Sequence, residues 1–104
     1  MGLICLARVC HEIAKEHGFW PDHPRNRGEQ IALMHEELSG ILEGLRKPRP
    51  DTHCPDFTRE EVKLADLIIR ALDYAHGHGL RLTGALRAKV ETNETRPHLH
   101  GKTF

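Results

Sequence analysis

From Asn26 to Lys47, and again from Thr58 to His78, apolar side chains recur every three or four positions, with proline- or glycine-marked breaks around both stretches. The positions are Ile31, Met34, Leu38, Ile41, Leu42 and Leu45 in the first stretch, and Leu64, Leu67, Ile68, Ala71, Leu72 and Ala75 in the second. That spacing places them on one face of an α-helix, and no strand pattern competes with it. Each start is signalled too. Asn26 with Glu29, and Thr58 with Glu61, are capping-box arrangements, in which the cap side chain and a glutamate three residues on satisfy amides that the first helical turn leaves free.

Two shorter segments flank this pair. One runs from Leu3 to His17, apolar at Ile4, Ala7, Ile13 and Ala14, with Gly18 where a C-terminal cap belongs. The other covers about Leu82 to Asn93. The expected fold is therefore all-α: an antiparallel helical bundle of about four helices over 3–17, 27–47, 58–78 and 82–93, with a tail over 94–104. The connecting stretches GFWPDHPRNR and PRPDTHCPDF are polar and punctuated by proline, as loops are. At 104 residues the whole chain is expected to be a single domain, near the lower limit of what one hydrophobic core stabilises alone. It is therefore expected to be completed by oligomerisation.

Fifteen basic residues balance fifteen acidic ones, so net charge points to neither nucleic acid nor a membrane surface as partner. Nine histidines make that balance sensitive to pH. Cys5, Cys10 and Cys54 are an odd number with no C-x-x-C pair, which argues against a disulfide framework or a zinc knuckle. The opening MGLICLARVC is interrupted by Arg8, unlike a secretory signal, and Leu6 stands where a myristoylation signal needs Ser or Thr. No run reaches the ~18 apolar residues of a membrane span. A soluble, cytoplasmic protein is expected.

The later long helix departs from simple core logic. Asp66 and Asp73 project nearly opposite its main apolar stripe, yet Val62, Ala65 and Ile69 share their face. A helix apolar on two sides is buried on two sides, and carboxylates there need a cation, a hydrogen-bond network or a raised pKa. Asp66 has Lys63 and Arg70 one turn away on either side as ordinary partners. The alternative is a divalent-metal site. Across the hairpin, Glu37 borders the apolar stripe and can point between the helices, whereas Glu36 and Glu43 point further away. Glu37 and Asp66 are thus the leading site candidates.

The segments IALMHEELSGILEGLRK, FTREEVKLADLIIRALDYAHGHGL and AKVETNETRPHLHG, in that order and spacing, resemble the MazG-like nucleoside triphosphate pyrophosphohydrolases from about Gly18 to Lys102. That resemblance implies an all-α pyrophosphohydrolase fold, a homodimer or dimer of dimers, and hydrolysis of a nucleoside triphosphate to monophosphate and pyrophosphate with Mg²⁺ or Mn²⁺. The family carries EExxE on one helix and ExxD on the next, four carboxylates for an ion that prefers oxygen ligands. Here Glu36 and Glu37 match the paired glutamates and Asp66 the aspartate, but Gly40 and Lys63 stand where the other two acids belong. The implied metal ligands are Glu37 and Asp66, which are also the implied catalytic pair, with Glu36 and Asp73 as accessory candidates. Lys89, Asn93 and Arg96 match the family's Lys-x-x-x-Asn-x-x-Arg pattern for the substrate phosphates, while Thr92 and His98 replace expected tyrosines. The resemblance, through the GFW segment, also implies that Phe19 and Trp20 offer a face to a base, with closure of the end of the core as the alternative for Trp20.

Charge arithmetic sharpens the departure. Four carboxylates carry −4, whereas Glu37 and Asp66 with Lys63 carry −1. Mg²⁺ affinity is expected to be weakened or lost, with the Lys63 ammonium near the vacated metal position, bridging Glu37 and Asp66. His76-x-His78 and His98-x-His100 do not share a helix face within each pair, so a zinc site is not indicated. Three function classes follow: a metal-dependent pyrophosphohydrolase, a catalytically impaired relative that still binds nucleotides, and a helical dimerisation module.

Overall fold

The computed structural model describes residues 1–103, apart from the side chain of His100. Four α-helices, α1 (Leu3–Glu16), α2 (Arg27–Arg46), α3 (Arg59–Gly77) and α4 (Leu82–Glu94), are followed by a 3₁₀ turn, His98–Gly101. Among the described residues there is no strand, only an isolated bridge between Pro50 and Thr58 that closes the α2–α3 loop. Among the described residues no helix is long and apolar enough to cross a membrane. The fold is all-helical.

The helices begin and end where local chemistry dictates. Thr58 and Glu61 form the full reciprocal capping box, with Thr58 accepting from the Glu61 amide and Glu61 accepting from the Thr58 amide. At α2 only half of it forms: the Asn26 side chain accepts from the Glu29 amide, 3.1 Å away. Gly18, at φ +83°, turns the chain out of α1 in a conformation that a side chain would strain.

The side-chain pairings set the topology. Gln30 meets His78, Glu37 meets Lys63 and Arg70, and Gly44 lies against Glu60, so α2 and α3 run antiparallel. The buried positions of α2 are Gln30, Glu37 and Gly44, seven residues apart and on one line. This seam is polar, unlike the apolar line that the stripe of Ile31, Leu38 and Leu45 offers next to it. Gly44 is what lets the helices close: a Cβ there would sit 2.8 Å from the Glu60 amide nitrogen and 3.1 Å from its Cα. Gly44→Ala adds about 1 kcal/mol of helix propensity, but overpacking rigid backbone costs about 1–3 kcal/mol. The variant is expected to unfold at a lower temperature than the parent in thermal melts followed by circular dichroism.

Helix α1 covers the C-terminal half of α3, burying Cys10, Leu72 and Ala75, the only apolar residues among those described that are fully buried. The N-terminal half of the same α3 stripe stays open, with Leu64 and Ile68 each 49% exposed. On α2, Ile31, Leu38, Leu42 and Leu45 are likewise exposed, while Met34 and Ile41 are half-buried. Helix α4 packs along none of the others and leaves Leu86 and Val90 exposed. The radius of gyration, 16.1 Å, exceeds the roughly 13 Å of a compact chain of about 100 residues.

Candidate functional site

Glu37 sits in the α2–α3 seam with its carboxylate buried. The Lys63 ammonium donates to its Oε2 at 3.1 Å, and the Arg70 Nε donates to its Oε1 at 3.2 Å. Asp66 reaches the same ammonium, with its Oδ2 3.7 Å from Lys63 Nζ. Lys63 therefore lies between Glu37 and Asp66. The Lys63 stem crosses α2 at Gly40, where a Cβ would meet Lys63 Cδ at 2.8 Å and Cγ at 3.1 Å. The glycine and the lysine are complementary: one provides the room that the other fills. Arg70, a possible partner of Asp66 by spacing, pairs with Glu37 instead. Two carboxylates and two cations sum to zero charge here. A divalent ion would meet two fixed positive groups and no surplus of negative ones, so these residues do not fit Mg²⁺ or Mn²⁺.

Asp73 is enclosed by a different set of partners. His11 Nδ1 donates to its Oδ1 at 2.9 Å, and Trp20 Nε1 donates to the same oxygen at 2.8 Å. The Trp20 indole meets the His11 ring edge-on at a centroid distance of 4.8 Å and the His78 ring at 5.2 Å, and it lies over Gly77. Trp20 thus sits between α1 and the end of α3. His11 as the partner of Asp73 is not signalled by the sequence, because the two are 62 positions apart and belong to helices whose register only the fold sets. Beside them, burial first and the Asp73 charge second push the Cys10 thiol above its ordinary value, which disfavours the thiolate.

His78 closes the seam. Its Nε2–H donates to the buried Gln30 Oε1 at 2.6 Å, and Tyr74 meets its ring edge-on. Desolvation is the main cause that lowers its pKa, helped by Arg27, Arg25 and His11 and opposed by Asp73. The α3 C-terminus, which by its dipole favours a protonated imidazole, is outweighed. The unfolded chain thus binds this proton at higher pH than the folded one. Stability is expected to fall as pH drops through about 6.5 and to level off below the depressed folded value. Urea midpoints measured across that range should show the slope, and His78→Gln should flatten it.

A cleft of about 330 Å³ opens between α1 and α3, with Glu37, Asp66, Asp73 and Arg70 on its polar side and Ile13, Phe19 and Ile69 on its apolar side. Arg25 and His17 complete its rim. The structure therefore brings Glu37, Asp66 and Asp73 to one cavity. Glu36 is exposed and outside it, as are Lys89, Asn93 and Arg96 on and just beyond α4. Trp20 does not line it. Among the described residues no three His, Cys, Asp or Glu side chains converge as a metal-binding group. The His98-x-His100 pair falls partly outside the described residues.

The α2–α3 loop holds one further buried acid. Asp51 accepts from the His53 and Cys54 amides and from Arg59 Nη1, each at 2.9 Å. The Arg59 guanidinium leads in holding its carboxyl below the usual range. This network fixes the loop that sets the α2–α3 spacing. Comparison with protein-family models, with curated proteins and with solved structures returns no match to this chain.

Proposed function

We propose that this chain is a MazG-like helical protein that binds nucleotide phosphates but is impaired in metal-dependent pyrophosphohydrolysis, with tethered cations in place of the ion. One observation carries the reading. The Lys63 ammonium lies 3.1 Å from Glu37 and 3.7 Å from Asp66, between the two carboxylates that would otherwise hold a metal. Its stem passes over Gly40, so both departures from the family pattern belong to one arrangement. Arg70 completes the neutralisation of Glu37. Lys89, Asn93 and Arg96 remain exposed and free of ion pairs among the described residues, as groups that meet phosphates must be.

The functional unit in this proposal is a homodimer. The exposed stripe of Leu38, Leu42 and Leu45 adjoins the half-buried Met34 and Ile41, and a second copy is the occupant that makes such a face stable. Sedimentation equilibrium tests the dimer. Pyrophosphate release from a panel of ribo- and deoxynucleoside triphosphates, with Mg²⁺ or Mn²⁺, tests the chemistry. No turnover above background is expected. Metal-dependent turnover by the parent chain would overturn the proposal and return the chain to the pyrophosphohydrolase class.

A further inference from the structure

The 330 Å³ cleft contains three carboxylates, yet two of them already have donors inside the protein. Glu37 accepts from Lys63 and Arg70, and Asp73 accepts from His11 and Trp20. Asp66, the most exposed of the three, faces Lys63. The cations are less fully used. Arg70 spends its Nε on Glu37, and its terminal nitrogens make no hydrogen bond among the described residues. Arg25 takes part in none of the ion pairs among the described residues. It is half-buried on the rim, with its guanidinium carbon 5.9 Å from the Phe19 ring centroid and 5.6 Å from that of Trp20. Aromatic faces hold a guanidinium in place while leaving its in-plane N–H donors for a ligand.

The cleft's unused donors are therefore on two guanidinium groups, Arg25 and the free end of Arg70. We propose that it is a metal-independent site for a nucleoside monophosphate, with the phosphate held by Arg25 and the free end of Arg70, and the base against Phe19, Ile13 and Ile69. Size and charge select the monophosphate. The volume is at the small end of ligand sites, which run from about 300 to 1,000 Å³. Arg25 and the free end of Arg70 can each donate to a phosphate monoester, and a monophosphate brings less negative charge past Glu37, Asp66 and Asp73 than a triphosphate without its metal. The inference rests on the reading above, in that Lys63 and Arg70 rather than an ion neutralise Glu37.

The test is equilibrium titration in EDTA with AMP, ATP and phenyl phosphate, by calorimetry and by fluorescence of Trp20, the only tryptophan. Saturable binding of AMP and phenyl phosphate is expected, weakened by salt. Arg25→Gln should weaken it at least tenfold and Arg25→Lys less, both with unchanged circular dichroism. The inference is overturned if neither monoester binds in EDTA, if ATP binds more tightly than AMP, or if Arg25→Gln binds like the parent. Each of these is separate from Mg²⁺-dependent turnover of triphosphates, which would overturn the impaired-hydrolase reading.

Discussion

Gly40→Glu/Lys63→Glu is expected to release pyrophosphate from nucleoside triphosphates with Mg²⁺ at least ~100-fold faster than the parent, since a bound metal supplies several kcal/mol of charge stabilisation and each ~1.4 kcal/mol is tenfold. The geometry says why both changes are needed. Gly40→Glu alone places a Cβ on the path of the Lys63 stem, 2.8 Å from its Cδ. The flexible lysine then shifts, and the added carboxylate gains that ammonium as its partner. Lys63→Glu alone removes the ammonium and adds a third carboxylate beside Glu37 and Asp66, but Arg70 stays on Glu37 and no acid at position 40 offsets it. Only the double variant both removes the Lys63 ammonium and supplies the two further acids that the proposed family pattern carries, leaving one cation, Arg70, against four carboxylates. A colorimetric pyrophosphate assay across the four chains measures the coupling. Equal inactivity of the double variant, with its fold intact and Mg²⁺ bound by calorimetry, would move the cause of silence from the metal site to Thr92 and His98.

Much of the helical architecture is legible in the sequence because its determinants are local. Thr58 and Glu61 are three residues apart, and the capping box they form depends on no distant residue. The same holds for Gly18 after α1. The pairing of Lys63 with Asp66 is also legible, since a lysine three residues from an aspartate shares its helix face, whereas its reach to Glu37 is expected only through the family resemblance. Spacing does not assign Arg70 to Glu37: it is seven residues after Lys63 and so on the same face, but its nearer neighbour Asp66 offers a local partner. The partners of Asp73 and His78 depend on how α1 and α2 register against α3, which no local rule fixes. The polar seam is the larger departure. Periodicity assigns the core side of α2 to Ile31, Leu38 and Leu45, but Gln30, Glu37 and Gly44 face α3 and the apolar stripe beside them is exposed. An apolar stripe marks a face that must be covered. It does not say whether its own chain or another covers it.

That exposed stripe yields the other large effect, in Leu38→Glu/Leu45→Glu. The two leucines are seven residues apart on one face of α2 and are 52% and 57% exposed in the single chain. Covering each by a second copy contributes up to about 1.5–3 kcal/mol, and a charge placed in that contact adds an uncompensated desolvation cost. A domain whose total stability is about 5–15 kcal/mol loses a large share from such a pair. Here the loss is compounded, because Cys10, Leu72 and Ala75 are the only apolar residues among those described that one chain fully buries. The double variant is expected to sediment as a monomer, and its melting temperature, unlike the parent's, should not rise with protein concentration. Ser39→Glu, exposed between the same turns but off the stripe, adds charge without entering the contact and should leave the assembly unchanged. If Leu38→Glu/Leu45→Glu keeps both the parent's mass and its melting temperature, the α2 stripe is not the contact between copies. The uncovered Leu86 and Val90 of α4 would then be the next surface to test.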